Sequence, residues 1–297
     1  MPELFPIMRI CAAALSDIAG AALAGVLFNR IWLGRMENCN RQLRTAQRVF
    51  SAVLLLDVPL QFVLLSASMT GDSSWTDAWH ALPDVATTHS GRALTLSFCF
   101  VPFLLLLSFF STAFEKTKGI VTGMALVAGL FACRALSGHA ASGGDFTLRE
   151  VMQFLHLTSI AAWGGGILIA GLIVVPHLAF TLGSAGIIQF GRRLSQTVTF
   201  ALAAVVFSGI YNSWKGLDGS LSPLPHSEWG RMLLMKLLFV LLAFGHGLRV
   251  RLLLGTRTPW TPNRTGTMRQ WMRAEAFCMV LVFIFSAWLA NLPPADM

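Results

Sequence analysis

The sequence predicts an all-α, polytopic membrane bundle of about eight transmembrane helices. Three observations predict it. The 297 residues are 55% hydrophobic, with a mean hydropathy of +0.65. Only 12% are charged, well below the roughly 25% of soluble domains. Apolar runs of roughly 20 residues recur along the whole length, each long enough to cross the hydrocarbon core as a helix. A transmembrane β-barrel would show alternating segments of about ten residues instead, and none is visible.

The runs occupy residues 8–29, 48–68, 93–113, 119–138, 149–175, 195–214, 231–251 and 272–291. The first is full length and has no basic leader, so it reads as an uncleaved span and not as a signal peptide. The second carries Asp57 and ends at the polar, aromatic segment 69–91, where a short interfacial helix through Trp75 and Trp79 is expected. The third opens on Ser90-Gly91-Arg92-Ala93-Leu94, and the fourth leaves the apolar region at Ser137-Gly138-His139. The fifth is the most informative and is taken up below. The sixth follows Gln189-Phe190-Gly191-Arg192-Arg193. The seventh opens on Trp229-Gly230-Arg231-Met232-Leu233, an echo of the third. The eighth follows 252–271, which contains Pro259, Pro262 and several arginines and reads as a solvated linker. No soluble domain fits in these gaps. The chain reads as one integral membrane domain, 1–297, whose repeated Gly-Arg-x-Leu hints at four-helix halves 1–140 and 141–297.

Charge gives the orientation. Of the 22 lysines and arginines, fifteen fall in the segments around 30–48, 116–118, 192–193 and 249–273. The other seven are Arg9, Arg92, Arg134, Arg149, Lys215, Arg231 and Lys236. The positive-inside rule then places both termini on the periplasmic side. The net charge of +8 is a topology signal and a poor nucleic-acid signal, because the basic residues are spread over several short loops. Acidic residues show the opposite bias, with Glu37, Glu115 and Glu275 the acids assigned inside. The five cysteines are scattered without C-x-x-C pairing, which argues against a disulfide framework or a thiolate zinc site. There is no G-x-S-x-G, H-E-x-x-H or ATP-binding motif, so neither a hydrolase nor an ATP-driven pump is expected, and the chain reads as a non-enzyme.

The fifth span contains His156 in its outer third. Lipid offers an imidazole no partner, so a histidine there must face protein, water or a metal. Met152 lies one helical turn before it and Trp163 two turns after it, on one face. A thioether and an imidazole at that spacing suit Cu(I). Each methionine taken alone is as well explained by packing. The next candidate donors are His139, Met235, Met232 and His89. Met232, Met235 and Lys236 share an arc of the seventh span, and His246 lies on the same face about three turns further. Asp17 and Asp57 sit at mid-membrane depth. They are candidates for a charge relay with Lys236 and His246, and equally for a structural ion pair with Arg9, Arg134 or Lys236. Gly164-Gly165-Gly166 after Trp163 reads as a place where a neighbouring helix approaches closely.

Several ordered motifs carry a resemblance. They are Ser137-Gly138-His139-Ala140-Ala141, His156-Leu157, Ala161-Ala162-Trp163-Gly164-Gly165, Gln189 through Ser195, and Trp229 through Lys236. In order and spacing the chain resembles the copper resistance D (CopD/PcoD) family of bacterial inner-membrane proteins. The resemblance implies copper handling across that membrane, with copper supplied by a small periplasmic protein of the copper resistance C type. Two other readings stay open at this point. One is a membrane b-type cytochrome with haem held by His139 and His156, and with His246 and His177 for a second haem. The other is a copper-delivery factor for an oxidase.

Overall fold

The computed structural model describes residues 4–34, 39–72, 74–110, 116–137, 147–181, 184–256 and 260–293, which are helical almost throughout and contain no strand. Eight helices are long and apolar enough to cross a membrane. In chain order they are α1 (Leu4–Leu33), α2 (Asn40–Met69), α5 (His89–Phe109), α6 (Thr117–Leu136), α7 (Leu148–Leu178), α8 (Ser184–Gly216), α9 (Glu228–Gly255) and α10 (Pro262–Asn291). Between α2 and α5 lie two short helices, α3 (Trp75–His80) and α4 (Leu82–Thr87). The α3 helix carries both Trp75 and Trp79 of the polar segment, and Trp75 packs on Phe5 with ring centroids 4.7 Å apart. The start of α1 and the end of α10 share one end of the bundle, the terminal end.

Several helices overrun their apolar runs. The α2, α8 and α10 helices begin well before the hydrophobic residues that betray them, because hydropathy marks the lipid boundary and not the last helical hydrogen bond. The solvated linker expected over 252–271 is correspondingly shorter. The α9 helix continues to Gly255 and α10 already starts at Pro262, in a first turn where a missing N–H leaves nothing unpaired. Glu275, assigned to the inner side although it falls at the start of the run 272–291, lies within this spanning helix and is 1% exposed.

The α1 and α7 helices are the most buried spans, and they cross at small residues. A Cβ at Gly165 would collide with the backbone carbonyl of Ala21, and one at Gly25 with the carbonyl of Gly165. Next to the crossing, Asn29 Nδ2 donates to the carbonyls of Gly25 at 2.8 Å and Gly166 at 3.0 Å, fixing the register. Gly164 faces Met279 and Phe283 of α10. Along this contact α7 is not a regular α-helix: Ala161–Gly165 and Ala170–Val174 are π turns. Around the two central helices, α2 packs on α1 and α5, α5 on α6, α8 mainly on α7, and α9 mainly on α10.

The two Gly-Arg-x-Leu runs open α5 and α9 with one capping device. Thr88 and Ser227 each accept a hydrogen bond from the glycine amide three residues on, at 3.0 and 2.9 Å. A Cβ on Gly91 or Gly230 would strike the carbonyl of Val85 or Leu224 in the preceding turn.

Candidate metal-binding site

His156, Ser208 and Lys236 each lie eight residues from the terminal-end boundary of their helices, at Leu148, Gly216 and Glu228 respectively. At 1.5 Å per residue they form one level about 12 Å inside the bundle. Ser208 folds its hydroxyl back on its own helix, donating to the Ala204 carbonyl at 2.6 Å. Its oxygen lies 3.1 Å from His156 Nδ1 and, with the hydroxyl proton directed at Ala204, is oriented to accept from the ring. The Val205 backbone also hydrogen-bonds the ring. In the tautomer with the proton on Nδ1, which this hydroxyl geometry favours, the lone pair is on Nε2, the arrangement in which imidazoles ligate metals. Gly209, next along α8, leaves room for the ring, since a Cβ there would stand 3.3 Å from Cε1.

Met152, one turn earlier on α7, is half-buried. Met232 is half-buried on α9, whereas Met235 is 38% exposed on its flank. Lys236 acts electrostatically on His156 and is itself influenced by Asp17. Asp17 accepts a hydrogen bond from Arg134 Nε at 3.1 Å in an ion pair between α1 and α6. Arg9 is taken by Asp72, with contacts of 2.6 and 3.0 Å. Asp57 accepts from Gln61 at 2.6 Å through Oδ2, and the Ser16 side chain also faces its carboxylate. Asp17 and Arg134 thus form an ion pair, Lys236 lies within electrostatic reach of both Asp17 and His156, and Asp57 lies within reach of Asp17 and Arg134.

Other residues singled out from the sequence lie apart. His89 is the first residue of α5, on a helix packed against α2 and α6. His246 lies toward the opposite end of α9 and stacks on Trp271 of α10, with centroids 5.4 Å apart. His177 shares a 2.9 Å hydrogen bond with Gln42. His139 lies outside the described residues. Among the described residues, no group of three or more His, Cys, Asp or Glu side chains is placed to hold a metal ion. Cys39, just ahead of α2, is fully buried, and burial pushes its thiol up to about 11, so it behaves as an inert packing residue.

One residue escaped the sequence reading. Glu275 Oε1 accepts the indole N–H of Trp163 at 3.0 Å, deep between α7 and α10. The available signal was the tryptophan: an indole buried in a span needs an acceptor, and Glu275 is the acid of the last apolar helix.

Eight apolar helices of spanning length around a hydrogen-bonded imidazole define the class: a multi-pass α-helical membrane protein. The comparisons with known proteins agree. The family described as Copper resistance protein D-like, N-terminal domain, matches residues 1–148, and the family described as Copper resistance protein D matches residues 188–289. The chain belongs to the copper resistance D family. It is 27% identical to the Copper resistance protein D of Pseudomonas syringae pv. tomato over 256 residues, covering 81% of this chain and 80% of that one. It is 31% identical over 168 residues to the Copper transport protein CutJ of Bacillus subtilis (strain 168), covering 56% of this chain and 29% of that protein, so it spans under a third of CutJ. No solved structure matches. These relatives favour neither the cytochrome nor the assembly-factor reading.

Proposed function

We propose that this chain carries copper across the bacterial inner membrane, binding it as Cu(I) in the periplasmic half of the bundle through His156 and Met152. The observation that supports the reading is the hydrogen bond between His156 Nδ1 and Ser208, which favours a lone pair on Nε2 of a residue one turn from Met152. Imidazole and thioether are donors that Cu(I) accepts. His139, Met232, Met235 and His89 are the further donors, and a small copper-binding protein of the copper resistance C type is the periplasmic source. A sparse donor set beside the Lys236 cation suits a transit site, because conduction needs binding weak enough to release.

The bias of Lys and Arg supports both termini facing the periplasm. A cysteine placed at Ser220 should react with an impermeant thiol reagent added outside intact spheroplasts, and one placed at Asn263 should react only after permeabilisation. The reverse pattern would turn the bundle over.

Asp57, with Lys236 and His246, forms the path from that site toward the other side, and Asp17 is the counter-ion of Arg134. The two acids should therefore part company on mutation. Asp17→Asn strands a largely buried guanidinium, a costly state, and should lower folded yield sharply. Among the described residues Asp57 makes no ion pair, so Asp57→Asn strands no paired cation. It should express normally and retain bound copper, yet fail in a cell-based copper accumulation assay. Normal accumulation by Asp57→Asn would remove that residue from the path.

A further inference from the structure

We infer that Glu275 is a proton-carrying carboxylate that couples proton movement to copper passage, held in place by Trp163 as its positioning partner. The inference rests on the transport reading above and adds its coupling ion.

The seat of this carboxylate is built from three helices. Its side chain is 1% exposed, on a helix that crosses the membrane. From α7, Trp163 donates one neutral N–H to Oε1 at 3.0 Å. From α9, Gly247 opposes the carboxylate with bare backbone: a Cβ there would stand 2.9 Å from Oε1 and 3.2 Å from Oε2. No ion pair among the described residues includes Glu275. The ionisable groups that face it are Arg251, one turn beyond Gly247 on α9, and Cys278 on its own helix. Arg251 donates to the Ser195 carbonyl at 3.1 Å. From α7 comes the indole of Trp163.

An ionised carboxylate offers about four acceptor positions, and a single neutral donor leaves most of them empty in a dry setting, which is expensive. The carboxylic acid is neutral, and its carbonyl oxygen still accepts from Trp163. Two protonation states therefore share nearly one geometry, as a group that loads and unloads a proton requires. Carboxylate oxygen is a hard donor and a poor match for Cu(I), so the ion it takes is the proton. The balance is simple: one proton arrives from water on one side, protonates the carboxylate, and leaves to water on the other.

Position links this acid to the copper site. Trp163 lies seven residues after His156 on α7, two turns along the same face and about 10 Å away. Gly247 lies eight residues from the end of α9, so Glu275 is about 12 Å from the opposite end and Arg251 lies between it and water. Trp163 stands within the π turn Ala161–Gly165, a local change of helical register of the kind found at functional sites.

Infrared difference spectra of the purified protein between low and high pH test the proton directly. Wild type should show the C=O stretch of a carboxylic acid that is lost entirely in Glu275→Gln and shifted in Trp163→Phe, which removes the indole donor. Glutamine keeps the hydrogen bond to Trp163, so folded yield should hold; should it not, the band shift in Trp163→Phe decides. In proteoliposomes, an imposed pH gradient should stimulate copper flux by wild type and leave Glu275→Gln unstimulated with its copper still bound. A band unchanged in both variants, or a Glu275→Gln flux that still responds to the gradient, overturns the inference. If wild type shows the Glu275 band but moves no copper, the transport reading fails and the proton site stands.

Discussion

His156→Ala is expected to remove Cu(I) bound in the periplasmic half of the bundle while leaving the helices intact. The orientation of the imidazole is held by a neighbour, through the hydrogen bond between Nδ1 and Ser208. The histidine meets α8 through its polar ring atoms at Ser208 and Val205 and beside Gly209, so its loss should cost packing little and binding much. Ser208→Ala should act through the histidine. Without the acceptor the ring is free to turn and to change tautomer, and second-shell losses of this kind weaken metal binding by about tenfold or more. His80→Ala and His226→Ala, both exposed, serve as controls and should keep wild-type affinity. Competition titration with a Cu(I) chelator reads all four. Should the exposed histidines matter and His156 not, the site lies in the outer vestibule.

Gly165→Ala is expected to be the most disruptive single methyl in the protein. At the α1–α7 crossing the obstacle is the Ala21 backbone carbonyl, which has no rotamer to escape into. The reciprocal contact of Gly25 with the Gly165 carbonyl prevents either helix from rotating away. Inserting a methyl into a packed core typically costs about 1–3 kcal/mol, and rigid backbone on both sides puts this case at or above the top of that range. Gly245→Ala, where nothing lies within 4 Å of the new Cβ, should be neutral or slightly stabilising in its helix. Thermal melting in detergent with size-exclusion profiles compares them. Equal behaviour of the two variants would mean that the crossing is not as tight as described.

The spans were legible because lipid demands some twenty apolar residues in a row, and the sequence supplies them eight times. Their ends were not, because α2, α8 and α10 continue as polar helix beyond the apolar run. His156 was visible as an imidazole at lipid depth. Its partner Ser208 was not, since it lies 52 residues away and a serine in a span carries no signal of its own. The Gly164–Gly166 run suggested a close approach, but which helix meets which glycine depended on the two π turns of α7, which no periodicity announces. Glu275 was grouped with inner-surface acids because Arg273 stands two residues before it, at the edge of its apolar run. The structure brings it under Trp163, because residue 275 lies well inside α10 where that helix packs on α7 and α9.

The central claim is that copper crosses the membrane through this chain. Radioactive copper uptake into proteoliposomes, supplied as Cu(I) and compared with protein-free vesicles, tests it most directly. Wild-type protein should load the lumen well above the protein-free level, and His156→Ala, reconstituted in equal amount, should fall back to it. Uptake by wild type no greater than that of protein-free vesicles, with the protein folded and copper bound, would contradict the account.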